Sequence, residues 1–496
     1  MAIQLSKSKY CQGAQCPKIL WLRKNKPEEF DDSVMDPVAR ATGNEVGNLA
    51  KELFGDFKEI PFDSTDFGSM IRQTEELLQQ RTPIITEATF SYKGLLCRVD
   101  ILKNVGSKTV ELYEVKSSTD MKDIFYEDVS FQRYVLTMAG YDVRRVCLVY
   151  LNNQYVRHGE LDLSKLFHIE DITEEAAEAH DAVAANINRL EKYMKQREEP
   201  SDDIGEQCFK PYSCGFWNYC TRFLPQPNVF DVAGMQTKSK SKHYREGIIS
   251  FQDLRGGGKL NHNQTLQVEA ELSGNNHIDE RAIRDFLSTL SYPLYFLDFE
   301  TFAPAIPPYD GLRPYEKIPF QYSLHYIEEP NGTLEHKEFL AKPGEDPRRD
   351  LAEQLCKDIP LDVCTTAYNM GFEKSVISGL ANLFPDLGEH LMNIHANIKD
   401  LMLPFSRKHY YVKEMQGSYS IKYVLPSLFP NDPSLNYGSL EDVHNGNEAS
   451  SAFARMAMLP PQEQEKLRNN LLKYCGLDTL AMVKVWEKLR EVADRE

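Results

Sequence analysis

The chain has 496 residues, 42% of them hydrophobic, and carries 57 Lys and Arg against 74 Asp and Glu for a formal charge of -17. That length exceeds one ordinary core and sets an expectation of about two to four domains. The charge excludes a protein that coats nucleic acid through a general basic field, and no apolar run approaches the roughly 18 residues needed to span a bilayer.

The amino terminus, Met1 to Lys7, lacks the basic, apolar, then small-residue order of a secretory signal, so a cytoplasmic protein without membrane contact is expected. Ten cysteines in such a chain are thiols or metal ligands rather than a disulfide framework. The first two are Cys11 and Cys16. Further on, 84–92 and 95–102, joined by Lys93-Gly94, predict a β-hairpin, and 110–116 predicts a third strand after a turn at Gly106. Asp100 lies on the second of these strands, while Glu114 and Lys116, two apart, share a face of the third. Two carboxylates can hold a divalent ion, and an adjacent ammonium can position or polarise an attacking water. Glu87 is a further candidate carboxylate, although an exposed strand residue is the simpler account. An amphipathic helix over about 126–140 carries Gln132 and Tyr134.

Cys208, Cys214 and Cys220 are separated by two five-residue gaps dense in aromatics, Pro and Gly. Such a loop can fold three thiolates around one metal centre, with Cys11 or Cys16 as the fourth ligand; ordinary core cysteines are the competing reading. Leu224-Pro225-Gln226-Pro227 then marks a boundary near Phe223, and 224–288 is expected to be a partly helical connector. It holds a basic strip of Lys238, Lys240, Lys242, Arg245, Arg255 and Lys259, read as a solvated linker in preference to a phosphate track. Residues 247–254 could start a small helical hairpin touching a nucleic-acid backbone.

The apolar stretch from Tyr295 ends in Asp298 and Glu300, which face the same side of a strand. Their repulsion and desolvation are costs that a bound divalent cation would offset, and an edge strand with an acidic solvent face is the alternative. Strands over 320–326 and 336–340, a helix capped by Asp346-Pro347, a strand over 365–368 and a helix over 373–383 follow. Asp400 ends another core strand. In the final helical run Tyr474 and Asp478 are four apart and share a face. A strand, a helix start and a late helix, each with acidic residues, give the four-carboxylate cluster that a two-metal phosphodiester hydrolase requires.

Asp298 and Glu300, Asn369 to Glu373, and Tyr474 to Asp478 resemble, in order, the three motifs of the DEDD exonucleases of the ribonuclease H-like fold, in the subclass with Tyr before the last Asp. The resemblance implies Asp298, Glu300, Glu373 and Asp478 as metal ligands and Tyr474 as the group orienting the attacking water. The chain departs from the pattern at Glu373, where the family has Asp; Asp400 is an alternative fourth ligand, more simply read as a polar strand end.

The Asp100, Glu114 and Lys116 set resembles the PD-(D/E)XK nuclease core in its RecB-like branch, with Gln132 at the place of a Gln-containing motif. That branch often has a metal-binding His near 40–47; here Gly47 stands closest to its place and Glu45 is a substitute candidate. One amino-terminal cysteine and three later ones flanking such a core resemble the iron-sulfur RecB-type nucleases. The likeness implies a 4Fe-4S cluster on Cys16, Cys208, Cys214 and Cys220, with zinc left open.

The whole chain resembles a bacterial family joining a RecB-like iron-sulfur nuclease to a DEDD-type domain. The expected fold is therefore α/β: a PD-(D/E)XK domain over 1–223, the connector over 224–288 and a ribonuclease H-like domain over 289–496. The implied activity is a nuclease using Mg2+ or Mn2+ at two sites, acting on DNA in preference to RNA, at ends, single strands or flaps. A nucleic-acid-binding scaffold with inactive nuclease folds and a small-nucleotide phosphodiesterase are the alternatives.

Overall fold

The computed structural model describes residues 5–106 and 108–494, so Met1 to Gln4 of the amino-terminal stretch lie outside the described residues. The chain divides into two units. Unit 1 is Met1–Phe223 with Pro304–Glu316, and unit 2 is Leu224–Ala303 with Lys317–Glu496. Both are mixed α/β. Among the described residues no helix is long and apolar enough to cross a membrane.

In unit 1, strands β1 (Leu5–Ser6), β2 (Lys58–Glu59), β3 (Ile84–Tyr92), β4 (Leu95–Gly106), β5 (Thr109–Lys116), β6 (Asp142–Leu151) and β7 (Phe167–Asp171) form one sheet. Its order is β2-β3-β4-β5-β6-β7, with β1 running parallel to β4. The β3–β4 hairpin turns through Lys93 and Gly94, both at positive φ, as a two-residue turn matched to strand twist demands. Helices α1 (Lys7–Gln15), α2 (Pro17–Asn25), α3 (Pro37–Lys51), α4 (Phe67–Gln79) and α5 (Asp123–Met138) belong to the same unit. The α5 helix is the crossover that lets β5 and β6 pair in parallel. It buries Phe125, Val129, Phe131, Val135 and Leu136 against Leu112 and Leu148 of the sheet.

Residues 304–316 complete unit 1 from far along the chain. Arg157 Nη1 donates to the carbonyls of Pro307 and Pro308 at 2.9 Å each, Gly159 N–H donates to Asp310 at 2.8 Å, and the Tyr315 hydroxyl donates to the Ser117 carbonyl. Ala305 joins a buried cluster with Tyr113, Val149 and Leu166.

In unit 2, β8 (His277–Ile278) pairs with β14 (Tyr410–Tyr411). The main sheet contains β9 (Leu294–Phe302), β10 (Ile318–Ile327), β11 (Leu334–Leu340), β12 (Cys364–Ala367) and β13 (Ile398–Asp400), in the order β11-β10-β9-β12-β13. The β11-β10-β9 pairs are antiparallel, and the β9-β12-β13 pairs are parallel. As the central strand, β9 is covered on both faces, which explains its unbroken apolar run Tyr295-Phe296-Leu297. Phe296 packs edge-on to Trp486 of the long helix Pro461–Ala493, while Tyr295 and Leu297 meet Leu351, Leu355, Ile377 and Leu380 on the other side.

Residues 224–288, read from sequence as a connector, fold as part of unit 2. They form the helices Thr237–Arg245, Phe251–Gly257, His262–Ser273 and Glu280–Leu287, because Phe251, Leu254, Val268 and Ile283 are buried. A capping box between Ser250 and Asp253 starts the second of these, and Gly256 and Gly257 end it rather than loosen it. Four of the six residues of the basic strip are committed locally: Lys240 Nζ donates to the Phe230 carbonyl at 2.7 Å, Arg245 Nε to the Ser241 carbonyl at 3.1 Å, Lys242 pairs with Glu246 at 3.8 Å and Arg255 with Glu269 at 3.1 Å.

Candidate active sites

The sheet of unit 2 and its longest helix bring Asp298, Glu300 and Asp478 together. One carboxylate oxygen from each lies within 4.8 Å of the others. The period of β9 turns Asp298 and Glu300 to one face, and the helix Pro461–Ala493 crosses that face with Tyr474 and Asp478 one turn apart. Burial first, and then Asp478, Glu300 and Glu373, hold Asp298 well above the usual carboxylate range. Burial and Asp478 push Glu300 up to about 8. Asp478 rises to about 6 through burial, held down by hydrogen bonds from the Tyr437 and Tyr474 hydroxyls and by Lys422.

Glu373 sits in the first turn of the helix Gly371–Leu383, near enough to repel Asp298 but outside the tight triad. The residue is 2% exposed, burial raises its carboxyl to about 8, and its Oε2 has no hydrogen-bond partner. A buried, unpartnered carboxylate oxygen beside three crowded carboxylates is the donor set a hard divalent cation takes, so the residues fit such an ion. Asp400 is differently employed: its Oδ1 accepts the backbone N–H groups of Asn369 and Met402, each at 3.0 Å, fixing the turn that leads to Glu373.

Two participants carry no sequence signal. Tyr437, in a short 3-10 turn, donates to Asp478 at 2.6 Å, and the Lys422 ammonium lies 5.7 Å from the ring centres of both Tyr437 and Tyr474. Cys475 Sγ stands 3.8 Å from Asp298 Oδ2.

In unit 1, β4, β5 and α5 gather Asp100, Glu114, Lys116 and Gln132. Glu114 is 2% exposed, and its Oε1 accepts from Lys116 Nζ at 2.8 Å. Gln132 Nε2 donates to Glu114 at 2.8 Å and to Asp128 at 3.0 Å. Asp100 accepts the Val115 N–H at 2.8 Å. The sequence reading lacked two members. Asp128 bonds the Lys116 ammonium, and Lys7 Nζ reaches Glu114 at 2.7 Å and Asp128 at 3.6 Å. Asp128 lies four residues before Gln132 on one helix face, which is a legible signal; Lys7 arrives from the chain start and offers none. Burial, then Asp100 and Asp128, raise Glu114 to about 7, while Lys116 and Lys7 hold Asp128 below the usual carboxylate range despite its burial.

Glu87 is not part of this set. It has a positive φ and pairs instead with Arg98 at 2.8 Å and Lys51 at 3.3 Å. Glu45 is exposed on α3, and the Tyr134 ring packs against His180.

The cysteines separate into two places. Cys16, Cys214 and Cys220 pack around a buried group containing Ile19, Trp21, Phe216 and Tyr219. Cys208 is pushed up to about 12 by burial, with Cys214, Cys16 and Cys220 adding to the shift, so its thiol feels the other three. Gln15 Nε2 ties α1 to this loop by donating to the carbonyls of Gln207 at 2.8 Å and Tyr212 at 2.7 Å. Among the described residues no three of the four sulfurs lie within 4.8 Å of one another. Cys11 is elsewhere, raised to about 12 by burial and by Asp128 of the acidic site.

A family described as a domain of unknown function, DUF2779, matches residues 295–420. That span contains Asp298, Glu300, Glu373 and Asp400 and ends before Lys422, Tyr437, Tyr474 and Asp478. No curated protein and no solved structure matches the chain.

Proposed function

We propose that the chain is a divalent-metal-dependent nuclease whose hydrolytic centre is the acidic set on the unit 2 sheet. The observation that carries this reading is the convergence of Asp298, Glu300 and Asp478, with Glu373 buried and unpartnered beside them. These four residues would hold Mg2+ or Mn2+, which supplies charge stabilisation to the attacking and leaving oxygens of a phosphodiester. Tyr437 and Tyr474 orient the Asp478 carboxylate, and burial keeps both phenols protonated as donors. Tyr474 is the group placed to direct a water at the phosphorus, and Lys422 supplies the nearby positive charge that attracts a phosphate. The strand order β11-β10-β9-β12-β13, with acidic residues on the central strand and the final helix, supports the ribonuclease H-like resemblance. Single-stranded or end-containing DNA is the proposed substrate.

The grouped cysteines Cys16, Cys208, Cys214 and Cys220 are the ligands that would hold a 4Fe-4S cluster, as the resemblance implies, with zinc as the alternative.

A second reading concerns unit 1 alone: a RecB-like fold that holds nucleic acid without cutting it. Lys7, bonded to Glu114, favours it. The test of both is cleavage of end-labelled single-stranded DNA and RNA in Mn2+ by wild type, Asp298→Asn and Lys116→Ala. Loss of all products in Asp298→Asn with products retained in Lys116→Ala supports hydrolysis in unit 2 only; a product pattern lost with each variant supports two cutting sites. A wild type inert on both polymers overturns the nuclease reading.

A further inference from the structure

We propose that the Lys7 ammonium, held between Glu114 and Asp128, is the resident cation of the unit 1 acidic site and excludes the divalent ion that Asp100 and Glu114 would otherwise hold. The inference rests on reading unit 1 as a RecB-like site, where the resemblance implies a metal on Asp100 and Glu114; the residues as they stand do not fit one.

The reason lies in the bookkeeping of lone pairs and charge. Glu114 Oε1 already accepts two ammonium groups, Lys7 at 2.7 Å and Lys116 at 2.8 Å, and Oε2 accepts Gln132. Asp128 Oδ1 accepts Gln132 at 3.0 Å with Lys7 at 3.6 Å, and Oδ2 accepts Lys116. Asp100 Oδ2 accepts the Val115 N–H. A magnesium ion needs carboxylate oxygens at about 2.1 Å and rigid octahedral geometry. It would have to displace an ammonium from an oxygen that is 2.7 Å away and withdrawn from water. Three carboxylates, Asp100, Glu114 and Asp128, face two ammonium groups, so one negative charge remains, too little to hold a divalent ion beside both lysines.

Lys7 is fixed in that place by the fold. Leu5 is fully buried, pairs with Leu95 on β4 and donates its N–H to the Gly94 carbonyl. Ser6 caps α1, so Lys7 is its first residue, and Tyr10 one turn later stacks on Phe131 at 4.6 Å, next to Gln132. Unit 2 supplies the contrast: among the described residues no salt bridge reaches Asp298, Glu300 or Asp478, the crowded set that fits an ion.

The experiment counts manganese by the electron paramagnetic resonance signal of the free ion, using the full-length chain with Asp298→Ala and Asp478→Ala to silence unit 2. With Lys7 intact, no ion that depends on Glu114 is expected. Adding Lys7→Ala should create a site for one ion per chain, and adding Glu114→Gln to that variant should remove it. An ion bound with Lys7 intact and lost on Glu114→Gln overturns the proposal. So does a folded Lys7→Ala variant, with unchanged circular dichroism, that gains no ion. If Lys7→Ala does not fold, the count on the Lys7-intact chain with and without Glu114→Gln decides alone. Cleavage is not read, so failure of the nuclease reading would appear separately, as an inert wild type.

Discussion

Asp298→Asn removes one negative charge from the unit 2 triad and keeps its shape. Carboxylate oxygens within 4.8 Å of one another repel by about 3.5 kcal/mol per pair at an effective dielectric constant of about 20. Asp298 takes part in two such pairs, a repulsion of about 7 kcal/mol at the 4.8 Å limit when all three are ionised. Protonation relieves most of this near neutrality, because Glu300 lies at about 8. We therefore expect the metal-free variant at pH 8 to be more stable than wild type by about 2 kcal/mol, or about 4–8 °C in the melting of a unit of this size. Manganese should narrow the gap. At a hundred times its Kd it adds about 2.7 kcal/mol to wild type, and a tenfold weaker variant at the same concentration gains about 1.4 kcal/mol. Differential scanning fluorimetry in EDTA and in manganese reads both effects. A variant that melts below wild type in EDTA, or gains as much from manganese, would refute the reasoning.

Other outcomes follow from the same geometry. Glu300 and Glu373 are raised to about 8 and Asp478 to about 6, so the folded metal-free state holds protons that the unfolded chain releases. The stability they confer is full below about pH 4.5 and is lost as pH rises towards 8; thermal melts in EDTA should fall across that window, while the shift produced by manganese grows. Calorimetry in buffers of different ionisation enthalpy should then show proton release on metal binding at pH 7. Lys116→Ala leaves Glu114 and Asp128 with Lys7 as their one ammonium partner, and removing one member of a buried ionic set costs about 3–5 kcal/mol, readable as a lower urea midpoint for unit 1. Cys214→Ser should remove iron and acid-labile sulfide from protein reconstituted without oxygen; unchanged iron content would sink the cluster.

Legibility in the sequence followed the range of the interactions. The β3–β4 hairpin and the β9 run could be read because strand period and turn residues are local, and Tyr474 with Asp478 because helix spacing is fixed. Asp128 was within reach of the same helix rule applied from Gln132. Tyr437 and Lys422 were not, since a 3-10 turn and a short helix far from β9 carry no period that points at Asp478. Residues 224–288 looked like a linker because Ser, Lys and Gly dominate their surface, while the buried Phe251, Leu254, Val268 and Ile283 are too widely spaced to stand out. Glu87 was not separable from the acidic set because its positive φ and its pairing with Arg98 and Lys51 leave no mark in the strand period.

The return of residues 304–316 to unit 1 has a consequence for how the chain comes off the ribosome. A nascent chain of 223 residues has the whole sheet of unit 1 but lacks the partners of Arg157, the hydroxyl that reaches Ser117, and the Ala305 methyl that closes a core beside Tyr113. Unit 1 therefore waits, incompletely sealed, while β9 is being synthesised, and the same short stretch of chain that carries Asp298 and Glu300 ends by supplying the missing piece. Completion of the first unit and birth of the second are successive moments of one event, and a protein divided at Phe223 would separate two halves that the order of synthesis joins.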